Sequence, residues 1–298
     1  MQVLVSGATG FIGRRLTGAL AAAGHDVTAL VRTRDGRAGR SVLWDELSPG
    51  HLDGVGAVVN LAGASIAGGR WTAARKAELV ESRVNTTGRL ASAIAAAADP
   101  PGVLVSMSAV GYYGDRGDEV LTEASQPGRD FLADLCTLWE KATAPAEAAG
   151  IRTVHLRQGI VLGPGGGALA PQLKLFKLCL GGRLGAGTQW VSWISLADAV
   201  GVILHAVSDE RLAGPVNSVA PSPVTNAELT RALGRAVHRP AVVRAPAAAL
   251  RLVMGELADE LVLASQRVEP VRLAETGYSF VHAHLGAALA AAVGHGAA

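Results

Sequence analysis

The residues with the clearest chemical potential follow the first apolar segment of the chain. Three glycines, Gly7, Gly10 and Gly13, recur at three-residue spacing between the apolar run Val3 to Val5 and a helix expected from Arg14. Such glycines allow a tight turn, a close approach of the main chain to a pyrophosphate, and packing of the helix on the strand. The helix N-terminus then faces the anion. This pattern predicts a dinucleotide site formed by Gly7, Thr9, Gly10, Phe11, Ile12 and Gly13.

The end of the second expected strand distinguishes between the two nicotinamide dinucleotides. An acidic residue about 20 positions past the glycines binds the ribose 2′-hydroxyl of NAD(H), whereas arginine accommodates the 2′-phosphate of NADP(H). Residues 30–34 contain Arg32 and Arg34 and neither Asp nor Glu. We therefore predict NADP(H) as the cofactor. NAD(H) is the less favoured cofactor, and two solvated surface arginines are the alternative interpretation.

The elements that must position this site follow a repeating pattern. Short β-branched runs alternate with Ala-rich helical runs over the first 160 residues, which is typical of a parallel sheet with crossover helices. Helices are expected near 14–23, 72–98 and 130–149. We predict an α/β fold, a Rossmann-type doubly wound parallel sheet with a smaller, mainly helical C-terminal substrate lobe. The dinucleotide domain is expected at 1–162 with roughly 190–220 added, and the substrate lobe at 163–189 and 221–298.

Composition limits the functional classes. The 298 residues are 49% hydrophobic, and 27 Lys and Arg against 25 Asp and Glu leave no excess for a nucleic-acid binder. Cys136 and Cys179 form no CxxC, and the histidines lack metal-ligand spacing, so neither a disulfide framework nor a metal site is predicted. No signal peptide or membrane span is evident. We expect a cytoplasmic protein with a small-molecule substrate and no nucleic-acid or membrane partner.

Several further motifs carry a resemblance to a known family. They are Asn60 to Gly63, Arg83 to Gly88, Ser106 to Gly114 and Leu156 to Gly165. With the glycine loop, they make the chain resemble the extended short-chain dehydrogenase/reductase superfamily, that is, the NAD-dependent epimerases and dehydratases. Within it, the chain is similar to an atypical branch called "epimerase family protein", related to cell-division-inhibitor-like proteins. The resemblance implies a homodimer and further cofactor contacts at Leu61, Ala62, Gly63, Arg83 and Ser106, with Asp45 beside the adenine.

The resemblance also implies where catalytic groups lie. In that superfamily, a serine ends the fifth strand and a downstream Tyr-x-x-x-Lys transfers the proton, with the lysine lowering the pKa of the tyrosine. Ser108 matches the serine, and Asn85 matches a helix asparagine that binds an active-site water. A plain helix-surface asparagine is the alternative for Asn85.

The Tyr-x-x-x-Lys pair itself is missing. Arg116, Gly117 and His282 stand four residues after Tyr112, Tyr113 and Tyr278. Tyr113, or else Tyr112, is the expected substitute, and a partly buried ring with a bonded hydroxyl is the alternative. Cys136, on the helix that should carry the pair, is expected to pack in the core.

Two functions follow from these residues. One is an NADP(H)-dependent oxidoreductase or epimerase acting on a small polar, sugar-type substrate. The other is a dinucleotide-binding sensor or scaffold with little or no catalysis, which the missing pair favours. The enzyme is the preferred interpretation, because it is favoured by Ser108, Asn85 and a Gly-rich segment expected beside the substrate. Contacts to a polar ring are expected from Arg183, Gln189, Trp190 and Trp193, although packing explains the tryptophans equally well.

Overall fold

In the computed structural model, which describes residues 1–34 and 39–294, strands and helices alternate along the chain. The strands are β1 (Gln2–Ser6), β2 (Asp26–Val31), β3 (Ser41–Leu43), β4 (Val55–Asn60), β5 (Val103–Ala109), β6 (Val120–Leu121), β7 (Arg152–Gln158), β8 (Ile160–Leu162), β9 (Gly182–Leu184), β10 (Trp190–Val191), β11 (Trp193–Ser195), β12 (Gly214–Ser218), β13 (Val224–Thr225), β14 (Val243–Ala245) and β15 (Arg267–Val268). The helices are α1 (Phe11–Ala22), α2 (Ala73–Val80), α3 (Thr86–Ala95), α4 (Phe131–Lys141), α5 (Ala144–Ala148), α6 (Leu169–Lys177), α7 (Leu196–Ser208), α8 (Asn226–Ala236), α9 (Ala247–Met254), α10 (Val271–Glu275) and α11 (Leu285–Gly294).

A parallel seven-stranded sheet forms the centre of the molecule, in the order β12-β7-β5-β4-β1-β2-β3. Its strands are apolar on both faces because helices cover both sides, as Val3 and Leu4 of β1 illustrate in the two core clusters. The strand order reverses between β1 and β4, and a crevice opens at such a point beyond the carboxyl ends of the strands. The predicted α/β, doubly wound class is confirmed.

Residues after β8 build a second core beside the sheet. Leu162, Phe176, Trp193, Leu229 and Leu289 are buried together, and α8 packs against α11. The pairs β8 with β11, β9 with β14 and β10 with β13 belong to this side of the molecule. By contrast, α7 packs on α1, and β12 completes the central sheet. Part of the chain near 190–220 therefore returns to the central sheet and its helices.

Two expected helices are interrupted. The one expected over 72–98 is α2 and α3 joined by a π-helical turn, Glu81–Asn85. The one expected over 130–149 ends at Lys141 and resumes as α5, because Pro145 lacks the N–H that an uninterrupted helix needs. Among the helices that the structure describes, none is long and apolar enough to cross a membrane.

Candidate functional site

Each glycine of the loop after β1 is required for a different steric reason. Gly7 has a φ of +68°, and a Cβ there would lie 2.7 Å from the Leu61 carbonyl oxygen. A Cβ on Gly13 would overlap the Gly7 carbonyl, so α1 packs on the loop only because Gly13 has no side chain. Gly10 donates its N–H to the Gly7 oxygen at 2.9 Å and is the N-cap of α1. A Cβ on Gly10 would meet only the Gly7 oxygen within 4 Å, so the space above Gly10 is open.

A cleft of about 800 Å³ lies over this loop, where the sheet order reverses. It runs from the end of β2 across the ends of β1 and β4 to the π-helical turn. The expected residues that line it are Gly7, Thr9, Gly10, Arg32, Asp45, Leu61, Ala62, Gly63 and Asn85. Lining residues that the sequence analysis did not single out are Ala8, Leu30, Val31, Thr33, Trp44, Ala64, Glu78, Glu81, Ser82, Thr86 and Arg89.

The arginines expected to bind a 2′-phosphate have different surroundings. Arg32 lines the cleft and makes no ion pair or hydrogen bond within residues 1–34 and 39–294. Arg34 instead pairs with Glu46, Nη2 to Oε2 at 2.5 Å, and is absent from the cleft lining. The second cleft cation is Arg89 of α3, whose Nη1 lies 3.8 Å from Asp45 Oδ1. The cleft lining thus includes Arg32 and Arg89 but not Arg34, whose guanidinium is paired with Glu46.

Phe11 and Ile12 support the loop from the protein side. The Phe11 ring packs against the Gly-rich loop after β8, where a Cβ on Gly163 would lie 3.2 Å from the ring and one on Gly166 would overlap it. Ile12 packs on the main core. Neither residue lines the cleft, and neither does Gly13, so the cofactor contacts expected of all three stay predictions.

A buried polar chain supports the floor of the crevice. Ser6 Oγ donates to Asn60 Oδ1 at 2.6 Å, and Asn60 Nδ2 donates to Thr87 Oγ1 at 2.8 Å. Trp139 Nε1 donates to the same threonine oxygen at 3.0 Å. Ser106 is 1% exposed and accepts a longer bond, 3.4 Å, from Asn60. Ser106 therefore belongs to this chain of bonds and not to the cleft lining.

Arg83 also lies behind the cleft. Its Nη2 donates to the Ala64 carbonyl at 2.9 Å, and its guanidinium lies 5.0 Å from the centre of the Trp139 ring. Burial lowers its pKa to about 10. Arg83 therefore holds the loop after β4 in place, and its expected contact with a cofactor stays a prediction.

The π-helical turn determines which side chains of the connection between β4 and β5 face the cleft. A π turn places one extra residue in a helical turn, so the face of the helix shifts along the sequence. Glu81, Ser82 and Asn85 all line the cleft from this turn. Asn85 was expected from the resemblance. The other two could not be found by a 3.6-residue periodicity, because the turn breaks that periodicity.

Ser108 lies within a buried ionic network. Its hydroxyl donates to Glu140 Oε1 at 2.7 Å. Arg157 binds both oxygens of that carboxylate, Nε to Oε1 and Nη2 to Oε2, each at 2.9 Å. Ser108 and Arg157 are adjacent across β5 and β7, and each is 3% exposed. Arg157 also donates through Nη1 to the hydroxyl of Tyr113 at 3.1 Å.

The structure corrects the expectation that Tyr113 replaces the missing catalytic tyrosine. Its side chain is fully buried, and its hydroxyl donates to Asn217 Oδ1 at 2.6 Å. Burial raises its pKa to about 12, despite the nearby Arg157. The ring of Tyr112 lies 3.4 Å from the Arg157 guanidinium in a cation–π contact. The alternative interpretation, a buried ring with a bonded hydroxyl, describes Tyr113.

Side chains expected near a substrate are likewise engaged in packing. Trp193 is fully buried, Trp190 Nε1 donates to Asp118 Oδ1 at 2.8 Å, and Gln189 donates to the Leu184 and Val262 carbonyls. Burial raises the pKa of Cys136 to about 12, which suits core packing. In the described part of the chain, no group of three or more His, Cys, Asp or Glu is placed to hold a metal ion.

Comparison with known proteins agrees with this geometry. The model of the NAD dependent epimerase/dehydratase family matches residues 3–218, and a domain of unknown function, DUF1731, matches residues 245–292. The chain belongs to the NAD-dependent epimerase/dehydratase family. Its membership confirms the resemblance inferred from the sequence motifs.

Relatives within the epimerase/dehydratase family cover almost the whole chain. Epimerase family protein Mb2239 of Mycobacterium bovis is 45% identical over 291 residues, covering 96% of each chain. The solved structure of human epimerase family protein SDR39U1 (isoform 2) with NADPH has a TM-score of 0.93, 39% identity and 99% coverage of both chains. A nucleoside-diphosphate sugar epimerase from Corynebacterium glutamicum has a TM-score of 0.83 and 38% identity, covering 99% of this chain and 58% of that one.

Proposed function

We propose that this family member binds NADPH in the cleft over the glycine loop. The observation that carries the proposal is the position of Arg32, a cation without a partner in the described residues that lines the same cleft as Gly10. A guanidinium suits a dianionic phosphate because it offers several N–H donors in a planar fork. The human relative that was solved with NADPH supports the choice of cofactor.

The cleft residues fit the parts of such a cofactor. The open space above Gly10, at the N-terminus of α1, suits a pyrophosphate. Trp44, with Arg32 and Arg89, would hold the adenosine end, and Asn85 lines the part of the cleft formed by the π-helical turn. When bound, NADPH supplies a hydride to an acceptor.

Binding without rapid catalysis is the function that the geometry supports best. Tyr113 is buried, Ser108 is bonded to Glu140, and the chain lacks Tyr-x-x-x-Lys. A positioned general acid or base contributes about 10²- to 10⁴-fold to a rate, so its absence predicts slow turnover. A sensor or scaffold that responds to NADPH fits these observations.

An oxidoreductase or epimerase acting on a small polar, sugar-type substrate is the second candidate. The Corynebacterium relative, described as a nucleoside-diphosphate sugar epimerase, supports it. In that case Ser108, already bonded to the Glu140 carboxylate, would accept the proton of a substrate hydroxyl and pass its own proton to Glu140. The serine is 3% exposed, so this role requires a movement that opens Ser108 to the substrate. Cytoplasmic location and a homodimer stay predictions from the sequence.

The test of NADPH binding compares two arginine variants. Arg32→Glu removes the cleft cation, whereas Arg34→Glu changes an arginine of the same loop that pairs with Glu46 outside the cleft. In titration calorimetry, the unchanged protein should bind NADPH more tightly than NADH. Arg32→Glu should weaken NADPH binding at least tenfold and reverse the preference, and Arg34→Glu should retain both affinities within about threefold. Equal affinities of the unchanged protein for the two cofactors would contradict the proposal.

A second measurement separates the two candidate functions. The absorbance of NADPH is followed against a panel of carbonyl compounds and nucleotide sugars, with the Ser108→Ala variant as the control. Tight NADPH binding with no oxidation above the rate of Ser108→Ala supports the binding function. Turnover that Ser108→Ala abolishes while NADPH affinity is retained supports the enzyme.

A further inference from the structure

Two stretches in the second half of the chain contain basic residues and no acidic ones. The stretches 148–197 and 229–255 contain no Asp or Glu, although the whole chain has 25. Within them, residues 174–180 and 231–244 hold six Lys and Arg: Lys174, Lys177, Arg231, Arg235, Arg239 and Arg244. A chain of net charge +2 therefore concentrates positive charge in a small part of its length.

The same residues expose apolar side chains. Of the twelve large apolar side chains that are exposed in the described residues, five lie in these two short ranges. They are Leu175, Leu178, Leu180, Val242 and Val243, and their exposed fractions run from 38% to 76%. The exposed side chains of residues 174–180 and 231–244 are called here the basic–apolar face.

The two ranges adjoin in space. The end of α6 leads through Leu180 into β9, which pairs with β14 so that Gly182 lies opposite Val243. The turn after α8 brings Ala241 to Gly234, where a Cβ on the glycine would lie 3.0 Å from the Ala241 Cβ. The ends of α6 and α8 and the start of β14 therefore meet at one corner of the lobe.

The composition of the face limits the kind of partner. The apolar side chains are exposed beside a depression of about 660 Å³, whose lining includes Arg231, Arg235 and Arg239. The buried centres of protein interfaces are depleted of charged residues, whereas lysine and arginine lie among the apolar side chains of this face. Single-stranded nucleic acids stack on exposed aromatic rings, and the aromatic residue of these ranges, Phe176, is 4% exposed.

We propose that the basic–apolar face binds the surface of an anionic phospholipid bilayer. Lysine and arginine attract anionic headgroups, and aliphatic side chains between them enter the boundary between headgroups and acyl chains. The sequence analysis excluded a membrane partner because no spanning segment exists, but a surface contact needs none. The face shares no residue with the cofactor cleft, so this proposal does not depend on NADPH binding.

The test uses the full chain and sedimentation with large unilamellar vesicles. Vesicles of 30% phosphatidylglycerol in phosphatidylcholine should bind the protein at least tenfold more tightly than pure phosphatidylcholine in 50 mM salt. Binding should decrease strongly in 500 mM salt, because salt screens charge. Failure to bind the anionic vesicles in low salt would overturn the proposal.

Matched variants locate the contact. Arg235→Glu/Arg239→Glu should lose at least tenfold in vesicle affinity, whereas Arg15→Glu/Lys141→Glu, which changes the net charge equally at exposed sites elsewhere, should lose less than threefold. Leu178→Ser/Val242→Ser should also weaken binding, with the NADPH affinity of every variant unchanged. Equal losses for both charge reversals, tighter binding to duplex DNA than to the vesicles, or dimerisation through this face without vesicle binding would each overturn the proposal.

Discussion

The carboxylate of Glu140 and the guanidinium of Arg157 form a two-point ion pair beneath Ser108, with both nitrogen–oxygen distances at 2.9 Å. Glu140 lies on α4, the helix on which the superfamily carries its tyrosine and lysine, and Arg157 lies on β7. The pair therefore joins α4 to the sheet at the place where catalytic groups were expected. This geometry predicts that the ion pair stabilises the folded protein, which can be measured as a change in unfolding free energy.

Breaking this pair on one side should be costly. Arg157→Met leaves the Glu140 carboxylate buried without its cation, which typically costs about 3–5 kcal/mol of unfolding free energy. Replacing both partners, in Glu140→Leu/Arg157→Met, should recover much of that loss because no charge stays buried. Urea unfolding measures the difference. The exposed pair of Arg211 with Asp209 is the control: Arg211→Met should cost far less than Arg157→Met. Equal costs for both single variants would argue against a structural role.

Tyr113→Phe should affect stability and not cofactor binding. The change removes the hydroxyl that donates to Asn217 Oδ1 and accepts from Arg157, and it leaves a buried acceptor without its donor. We expect a loss of about 1–3 kcal/mol in urea unfolding, with unchanged NADPH affinity. Tyr112→Phe, one residue earlier, should change stability by less than ~0.5 kcal/mol. If Tyr113→Phe kept full stability but lost turnover, Tyr113 would return to the catalytic role expected from the sequence.

The glycines of the first loop should separate binding from folding. Gly10→Val places a branched side chain in the open space above the loop and should weaken NADPH binding at least 100-fold in a folded protein. Gly13→Val should impair folding instead, because its Cβ would overlap the Gly7 carbonyl. Calorimetric titration and circular dichroism measure the two effects. Gly18→Ala is the control, since a Cβ on Gly18 meets nothing within 4 Å. Full NADPH affinity in Gly10→Val would refute the loop assignment.

Glu260 should make stability fall with rising pH. It accepts hydrogen bonds from the N–H groups of Phe131 and Leu132 at the start of α4, and burial raises its pKa to about 7. A carboxyl group whose pKa is higher in the folded than in the unfolded state stabilises the folded state most at low pH. Its contribution to the unfolding free energy is lost as pH rises from about 4.5 to 7. Glu260→Gln should flatten the dependence of unfolding free energy on pH across this window.

A carboxylate elsewhere in the chain supplies the control for that measurement. The N–H and hydroxyl of Thr225 donate hydrogen bonds to Glu228 and lower its pKa, so the contribution of Glu228 is lost as pH falls below about 4.5. Glu228→Gln should therefore alter the pH dependence only at that acidic end. An unchanged slope between pH 4.5 and 7 in Glu260→Gln would contradict the assignment to Glu260.

The sequence by itself determined the class of fold, the family and the position of the glycine turn between β1 and α1. These properties are encoded locally: strand and helix periodicity specify each element, and Gly7 and Gly10 are needed within a single strand–turn–helix unit. Arg32 was found for the same reason, because it follows the second strand directly. Where a property depends on a few neighbouring residues, their types and spacing are sufficient to predict it.

Tertiary structure decided which side chains face the cleft. Arg34 pairs with Glu46, while Arg89 reaches the cleft from α3, and the π-helical turn presents Glu81 and Ser82. The hydroxyl of the buried Tyr113 donates a hydrogen bond to Asn217, which lies 104 residues later in the chain. Each of these outcomes depends on a partner from a distant segment or on an extra residue in a helical turn. No local pattern contains that information, because the partners meet only when the sheet and its two cores have assembled.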